Sequence, residues 1–224
     1  DENSNETILM SACRQGNLDI VKEIYTKSNK KNELDNNGMN CLLHTALNNK
    51  SGNIFEITGY LITNNHELVN STDKNGNNFL QILEKNSNIS KNDSVKTIIF
   101  KYLIDNGLKI NHVNHDGNNI LMTMVDYCNQ NEWKYCHDYF VFLIKQGIDL
   151  SVKDNNNLTI LLQCLELVDI KIKLTSDNKF PKLKEEFSHI RKVINIIIEH
   201  KKLSSEEKKS IMKFKEKITK HNLI

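Results

Sequence analysis

The stretch TILMSACRQGNLDIV, residues 7–21, decides the fold. Thr7 heads a short apolar run, Ile8, Leu9, Met10 and Ala12. Gly16 interrupts it, and Leu18, Ile20, Val21 and Ile24 then follow the helical period. A threonine at the head of such a run acts as an N-cap, because its side-chain oxygen accepts from the free N–H groups of the first turn. The reading is a capped helix, a glycine break and a second amphipathic helix.

The unit recurs. NNGMNCLLHTA, KNGNNFLQIL, HDGNNILMTM and NNNLTILLQC each pass from a polar turn through Asn or Thr into apolar residues. The caps are Thr7, Asn40, Asn78, Asn119 and Thr159, separated by 33, 38, 41 and 40 residues. The turns end in Asn5, Gly38, Gly76, Gly117 and Asn157, the residue types that best tolerate a left-handed backbone. Second helices follow around Ile57, Tyr60 and Leu61, around Ile98, Ile99 and Leu103, around Tyr139, Phe140 and Leu143, and around Val193, Ile194 and Ile197. The expected class is all-α.

Composition narrows the rest. With one proline and eight glycines in 224 residues, and 38% hydrophobic content, the chain is a folded one with no long flexible linker. Five cysteines without a paired framework, Cys13, Cys41, Cys128, Cys136 and Cys164, point to free thiols and an intracellular, cytoplasmic setting, the host cytoplasm if the chain is a delivered effector. The longest apolar run, Tyr139 to Ile144, is far too short to span a bilayer. Net charge is +2, but the segment from Lys182 onward carries 12 basic and 6 acidic residues.

These units resemble the ankyrin-repeat family, whose repeat of about 33 residues is a β-turn and two antiparallel helices with a signature near T-P-L-H-x-A. Residues 7–21 match best. YLIDNGLKIN from Tyr102 and FLIKQGIDLS from Phe142 resemble the end of the unit, where Gly107 and Gly147 close the second helix. The chain departs from the signature after the cap: Ile8, Cys41, Phe79, Ile120 and Ile160 stand in place of proline. Met10, Leu43, Gln81, Met122 and Leu162 stand in place of histidine, and His44 is one position off. The resemblance implies a helical-repeat solenoid with β-turn tips. Residues 1–202 would hold five divergent repeats, starting near 2, 35, 73, 114 and 154, and 203–224 a C-terminal capping helix and tail.

Extra residues enter between the two helices of each later repeat, where they would form a ridge opposite the tips. The longest insertion, Lys171 to Glu186, holds Pro181. Ser204 with Glu207 three residues on has the capping-box pattern, and Ile211, Phe214 and Ile218 line one face of the helix that follows. Glutamates interleave with the lysines of this segment, which reads as a solvated helix face rather than a nucleic-acid stripe.

No phosphate loop, paired zinc motif or H-E-x-x-H stretch is present, so an enzyme is disfavoured and no cofactor is implied. Cys128, Cys136 and His137 have the wrong spacing for zinc. His112, His115 and Asp116 read as exposed turn residues, and Cys13, Cys41 and Cys164 as packing thiols. The resemblance implies recognition of another protein through the turn tips and the first helices, with no catalysis. Those positions are Asn36, Asn37 and Met39; Lys74, Asn75 and Asn77; His115, Asp116, Asn118 and Tyr127; and Asn155 and Asn156. The rival reading is the non-catalytic part of a larger enzyme or effector. Trp133, the single tryptophan, admits two roles: an exposed interface anchor or a packed side chain.

Overall fold

The computed structural model describes residues 4–29, 31–47, 53–85, 93–131, 133, 136–174 and 180–220, with side chains outside the description at 93–95, 127–131, 136, 174, 180–185 and 220 as well. The chain divides into two compact units, Asp1–Asp116 and Gly117–Ile224. Among the described residues the regular structure is helical, and the only β pairing is two isolated bridges, Thr72 with Asn78 and Lys153 with Thr159.

The first unit holds α1 (Ile8–Gln15), α2 (Leu18–Lys27), α3 (Cys41–Ala46), α4 (Ile54–Asn64), α5 (Phe79–Lys85) and α6 (Asp93–Asp105). A short 3-10 helix, His66–Asn70, buries Leu68 and Val69 below the third turn, an element the sequence reading did not anticipate. The first helices α1, α3 and α5 stack in order, and the second helices α2, α4 and α6 stack behind them. Leu42, Leu43, Ile57, Leu61, Phe79, Phe100 and Leu103 are fully buried between the rows. Each such side chain stabilises the unit by about 1.5–3 kcal/mol relative to exposure.

Local chemistry explains where the helices start. Thr7 accepts from Met10 N–H at 3.2 Å and Asn40 from Leu43 N–H at 2.9 Å. Asn78 accepts from Gln81 N–H at 3.1 Å, and Gln81 Oε1 accepts from Asn78 N–H at 3.1 Å. Met10 Sδ closes the same reciprocal pair on Thr7 N–H at 3.4 Å. Two residues that replace the family histidine therefore complete capping boxes. All five turn-ending residues have the left-handed conformation, with φ from 55° at Asn5 to 77° at Gly117.

The second unit holds α7 (Ile120–Asn131), α8 (Cys136–Lys145), α9 (Ile160–Leu174), α10 (Phe180–His200) and α11 (Ser205–Lys220). α7 packs on α9, α8 on α10, and α9 on both α10 and α11. Asn119 caps α7 by accepting from Met122 N–H at 3.1 Å. The fifth cap works differently: Thr159 donates its hydroxyl to Glu207 Oε1 at 2.6 Å, because that buried carboxylate lies against it.

The longest insertion is largely helix. α9 continues through Lys171 to Leu174, and α10 begins at Phe180 with Pro181 in its first turn, where a missing N–H costs nothing. The segments 48–52, 86–92, 132, 134–135 and 175–179, where an insertion ridge was expected, lie outside the described residues.

α11 docks as the sequence pattern requires. Ser204 Oγ accepts from Glu207 N–H at 3.2 Å and Glu207 Oε2 from Ser204 N–H at 2.9 Å, and Ile211, Phe214 and Ile218 face inward. Thr159 meets Glu207 and Asp169 meets Lys217, both 48 residues apart, so α11 runs parallel to α9 in constant register. Burial raises the Glu207 pKa, but hydrogen bonds from Lys201, Thr159 and Ser204 N–H outweigh it and hold the carboxyl below the ordinary glutamate range.

Candidate protein-binding surface

Four of the five turns are each organised by one side chain that the sequence reading passed over. Asp35 Oδ1 accepts from the N–H groups of Asn37 and Met39, both at 2.8 Å. Asp73 Oδ1 does the same for Asn75 and Asn77 at 2.9 and 2.8 Å, and Asp154 Oδ1 for Asn156 and Leu158 at 2.9 and 2.8 Å. Asn114 Oδ1 accepts from Asp116 N–H at 3.0 Å. The signal was available: Asp or Asn stands three residues before each of the turn-ending residues Gly38, Gly76, Gly117 and Asn157.

The second oxygen ties the turn to its helix. Asp35 Oδ2 lies 3.0 Å from His44 Nε2, and Asp154 Oδ2 accepts from Gln163 Nε2 at 2.9 Å. His44 and Gln163 both stand four residues after their cap, so the displaced histidine has a structural partner. His44 is buried, with Glu6 Oε1 3.9 Å from its other ring nitrogen and Arg14 paired to Glu6.

Backbone bonds then lock turn to turn in the first unit. Asn36 N–H donates to Ser4 O at 3.0 Å, Lys74 N–H to Asn37 O at 2.8 Å, and His115 N–H to Asn75 O at 2.9 Å. His112 Nε2 lies 2.6 Å from Gly76 O, and Asn114 Nδ2 donates to Asn77 Oδ1 at 3.0 Å. The approach is close enough that a Cβ on Gly76 would sit 2.8 Å from the His115 ring. The result is a row of tips whose backbone is held at fixed spacing.

Asn36, Asn37, Lys74, Asn75, His115 and Asp116 are exposed on the tips of the first unit, and Asn155 and Asn156 on a tip of the second. Met39 and Asn77 are not surface residues. Just past the left-handed residue the chain turns back toward the core, so Met39 is buried. Asn77 spends its side chain on Asp73, Lys85 and Asn114. Asn118, the corresponding residue of the second unit, is half-buried and bonded to Asp126 and Gln163. Trp133 is buried at 2% exposure, which removes the exposed-anchor reading. The Tyr127, Cys128 and Cys136 side chains lie outside the described residues.

Little of this surface is charged or built for chemistry. Among the described residues no three His, Cys, Asp or Glu side chains gather in a way that could hold a metal ion, and no helix is long and apolar enough to cross a membrane. Cys13, Cys41 and Cys164 are free and buried, and burial pushes the Cys164 thiol far above its ordinary range.

Comparison with known proteins agrees with this geometry. Residues 1–73 match the family model for ankyrin repeats in three copies, a span that includes α1 to α4 and the first two turn-ending residues, Asn5 and Gly38. A search of curated proteins finds no match. Ankyrin repeats are generally protein–protein interaction modules, and the family is typically non-catalytic. The capped helix pairs, the left-handed turn residues and this match together show that residues 1–73 are similar to ankyrin repeats.

Proposed function

We propose that this chain is a recognition module that binds another protein through its row of turn tips and performs no catalysis of its own. One observation carries the reading. In the first unit, exposed Asn36, Asn37, Lys74, Asn75, His115 and Asp116 ride on backbone that is bonded from turn to turn. A partner that lands there orders side chains only, since the main chain is already fixed, and that lowers the entropic cost of binding. Asn37 and Asn75 occupy equivalent positions, and each uses its carbonyl for the next turn while its side-chain amide faces solvent. Amides supply both donors and acceptors, which suits a polar partner surface.

The test is affinity capture with the full chain, followed by mass spectrometry, against a tip variant, Lys74→Glu with Asn75→Arg. Both changes lie on exposed side chains, so melting temperature should match the wild type. A protein retained by the wild type and released by the variant supports the proposal. Retention of the same protein by both would contradict it.

A further inference from the structure

Glycine follows asparagine at three places in the chain, Asn37-Gly38, Asn75-Gly76 and Asn106-Gly107, and the first two are turn tips. The turn itself requires those glycines: Gly38 and Gly76 have φ of 73° and 75°, where a Cβ is strained. Glycine is also the residue that leaves a preceding asparagine most prone to cyclise, since no side chain shields its nitrogen. Asn37 and Asn75 are exposed, and neither side-chain amide has a hydrogen-bond partner among the described residues. Asn106 differs, because its Nδ2 donates to Tyr102 O at 2.8 Å. The fifth repeat differs too. There Asn157 supplies the left-handed residue, with φ of 62°, so exposed Asn156 is followed by a side chain.

We propose that Asn37 and Asn75 are latent modification sites, each converting spontaneously to aspartate or isoaspartate at a rate set by the opening of its own turn. The Gly38 nitrogen loses its proton and attacks Asn37 Cγ; that N–C bond forms, the Cγ–Nδ2 bond breaks and ammonia leaves. Water then opens the cyclic imide at either carbonyl. The closed turn blocks the first step. Gly38 N–H donates to Asp35 O at 3.0 Å, Asn37 N–H donates to Asp35 Oδ1 at 2.8 Å, and Asn37 O accepts from Lys74 N–H at 2.8 Å. Neither peptide beside Asn37 can then swing to bring Cγ onto the nitrogen. Asn75 is held in the same way: Gly76 N–H donates to Asp73 O and Asn75 N–H to Asp73 Oδ1, both at 2.9 Å, and Asn75 O accepts from His115 N–H at 2.9 Å. Each bond is worth a factor of about five, so opening a whole turn slows the reaction about a hundredfold. Either product puts a carboxylate on the tip, and isoaspartate also lengthens the main chain and displaces the carbonyl that joins one turn to the next. An effect on binding rests on the recognition proposal; the chemistry does not.

The test is peptide mapping by mass spectrometry after incubation of the full chain at neutral pH, in native buffer and in denaturing urea, with acid and isoaspartate products read at each site. In urea Asn37 and Asn75 should convert readily and Asn156 more slowly, because a side chain follows it. In native buffer both tip sites should be about a hundredfold slower than in urea. Asp73→Ala, checked for a native circular dichroism spectrum, should speed Asn75 about fivefold in native buffer and leave Asn37 at its wild-type rate. Asp73→Ser, which keeps a weaker acceptor, replaces it if the alanine variant does not fold. Equal wild-type rates in native buffer and urea overturn the inference, as does conversion of neither site in urea. So does an Asp73 variant that leaves Asn75 unchanged, or one that speeds both tips alike, which would put the gate in global unfolding.

Discussion

Replacing Asp35 by alanine removes three interactions at once, and the structure indicates what each is worth. Asn37 N–H lies at an exposed tip and can turn to water, so its loss costs little. Met39 N–H is buried and would be left without its acceptor, at about 1–3 kcal/mol. Buried His44 would lose the carboxylate 3.0 Å from Nε2, at a similar cost. Asp35→Ala should therefore destabilise the chain by about 2–6 kcal/mol, and it should lower the melting temperature by roughly 10 °C or more for a unit of this size. Asp35→Asn keeps Oδ1 as acceptor for both N–H groups and loses mainly charge assistance, so about 1 kcal/mol is expected. Asn114 fills the equivalent place in another turn and shows that an amide is compatible with it. Urea titration followed by far-UV circular dichroism measures both variants. A loss below about 0.5 kcal/mol for Asp35→Ala, the range of an ordinary surface change, would refute the reasoning. So would an asparagine variant as damaging as the alanine one.

Other perturbations follow from the same structure. Trp133→Ala should cost about 3–5 kcal/mol in folding stability, while Trp133→Phe should cost clearly less, because the buried indole N–H has no hydrogen-bond partner among the described residues; thermal melts compare them. Lys96 Nζ lies 2.9 Å from both oxygens of Glu84, and both residues are buried, so Lys96→Met alone should cost about 3–5 kcal/mol. Adding Glu84→Leu should recover much of that loss, as read by chemical denaturation. Gly76→Ala should destabilise by more than about 1 kcal/mol, since it meets both a positive φ of 75° and the His115 ring. Glu207 has a depressed folded pKa, so its contribution is complete above the ordinary glutamate range and is lost as pH falls through the depressed value. Melting curves recorded from neutral to acid pH should show a shallower acid decline for Glu207→Gln than for the wild type, from a lower neutral starting point.

What could be read from the sequence was whatever depends on a few neighbouring residues. The cap at Asn40, the left-handed turn at Gly38 and the Ser204–Glu207 capping box are short-range geometry, so residue type and spacing were enough. The turn anchors were harder, because Asp35 acts through Met39 and His44 and is recognisable only once turn and helix are packed together. Thr159 kept the cap residue type, yet its hydroxyl answers Glu207, 48 residues away, which no local pattern records. Glu84 and Lys96 stand 12 residues apart with no local pattern that pairs them, and only the packing of α6 on its neighbours hides them as a pair. Lys171–Leu174 read as loop because the insertion was counted against a repeat of fixed length, although those residues simply prolong α9. Of the tip residues, the exposed ones were found by position within the turn. Met39 and Asn77 were misjudged because they sit one residue past the left-handed position, where the chain has already turned inward.

Photo-crosslinking from the tip row tests the central claim most directly. A photoreactive amino acid placed at Asn75 reports on the row, and one at exposed Lys101 on α6 reports on the second-helix side. Both proteins are irradiated in lysate and their adducts sequenced. The account predicts a defined protein adduct from Asn75 that is absent from Lys101 and is competed away by unlabelled chain. A defined adduct from Lys101 with none from Asn75 would contradict it.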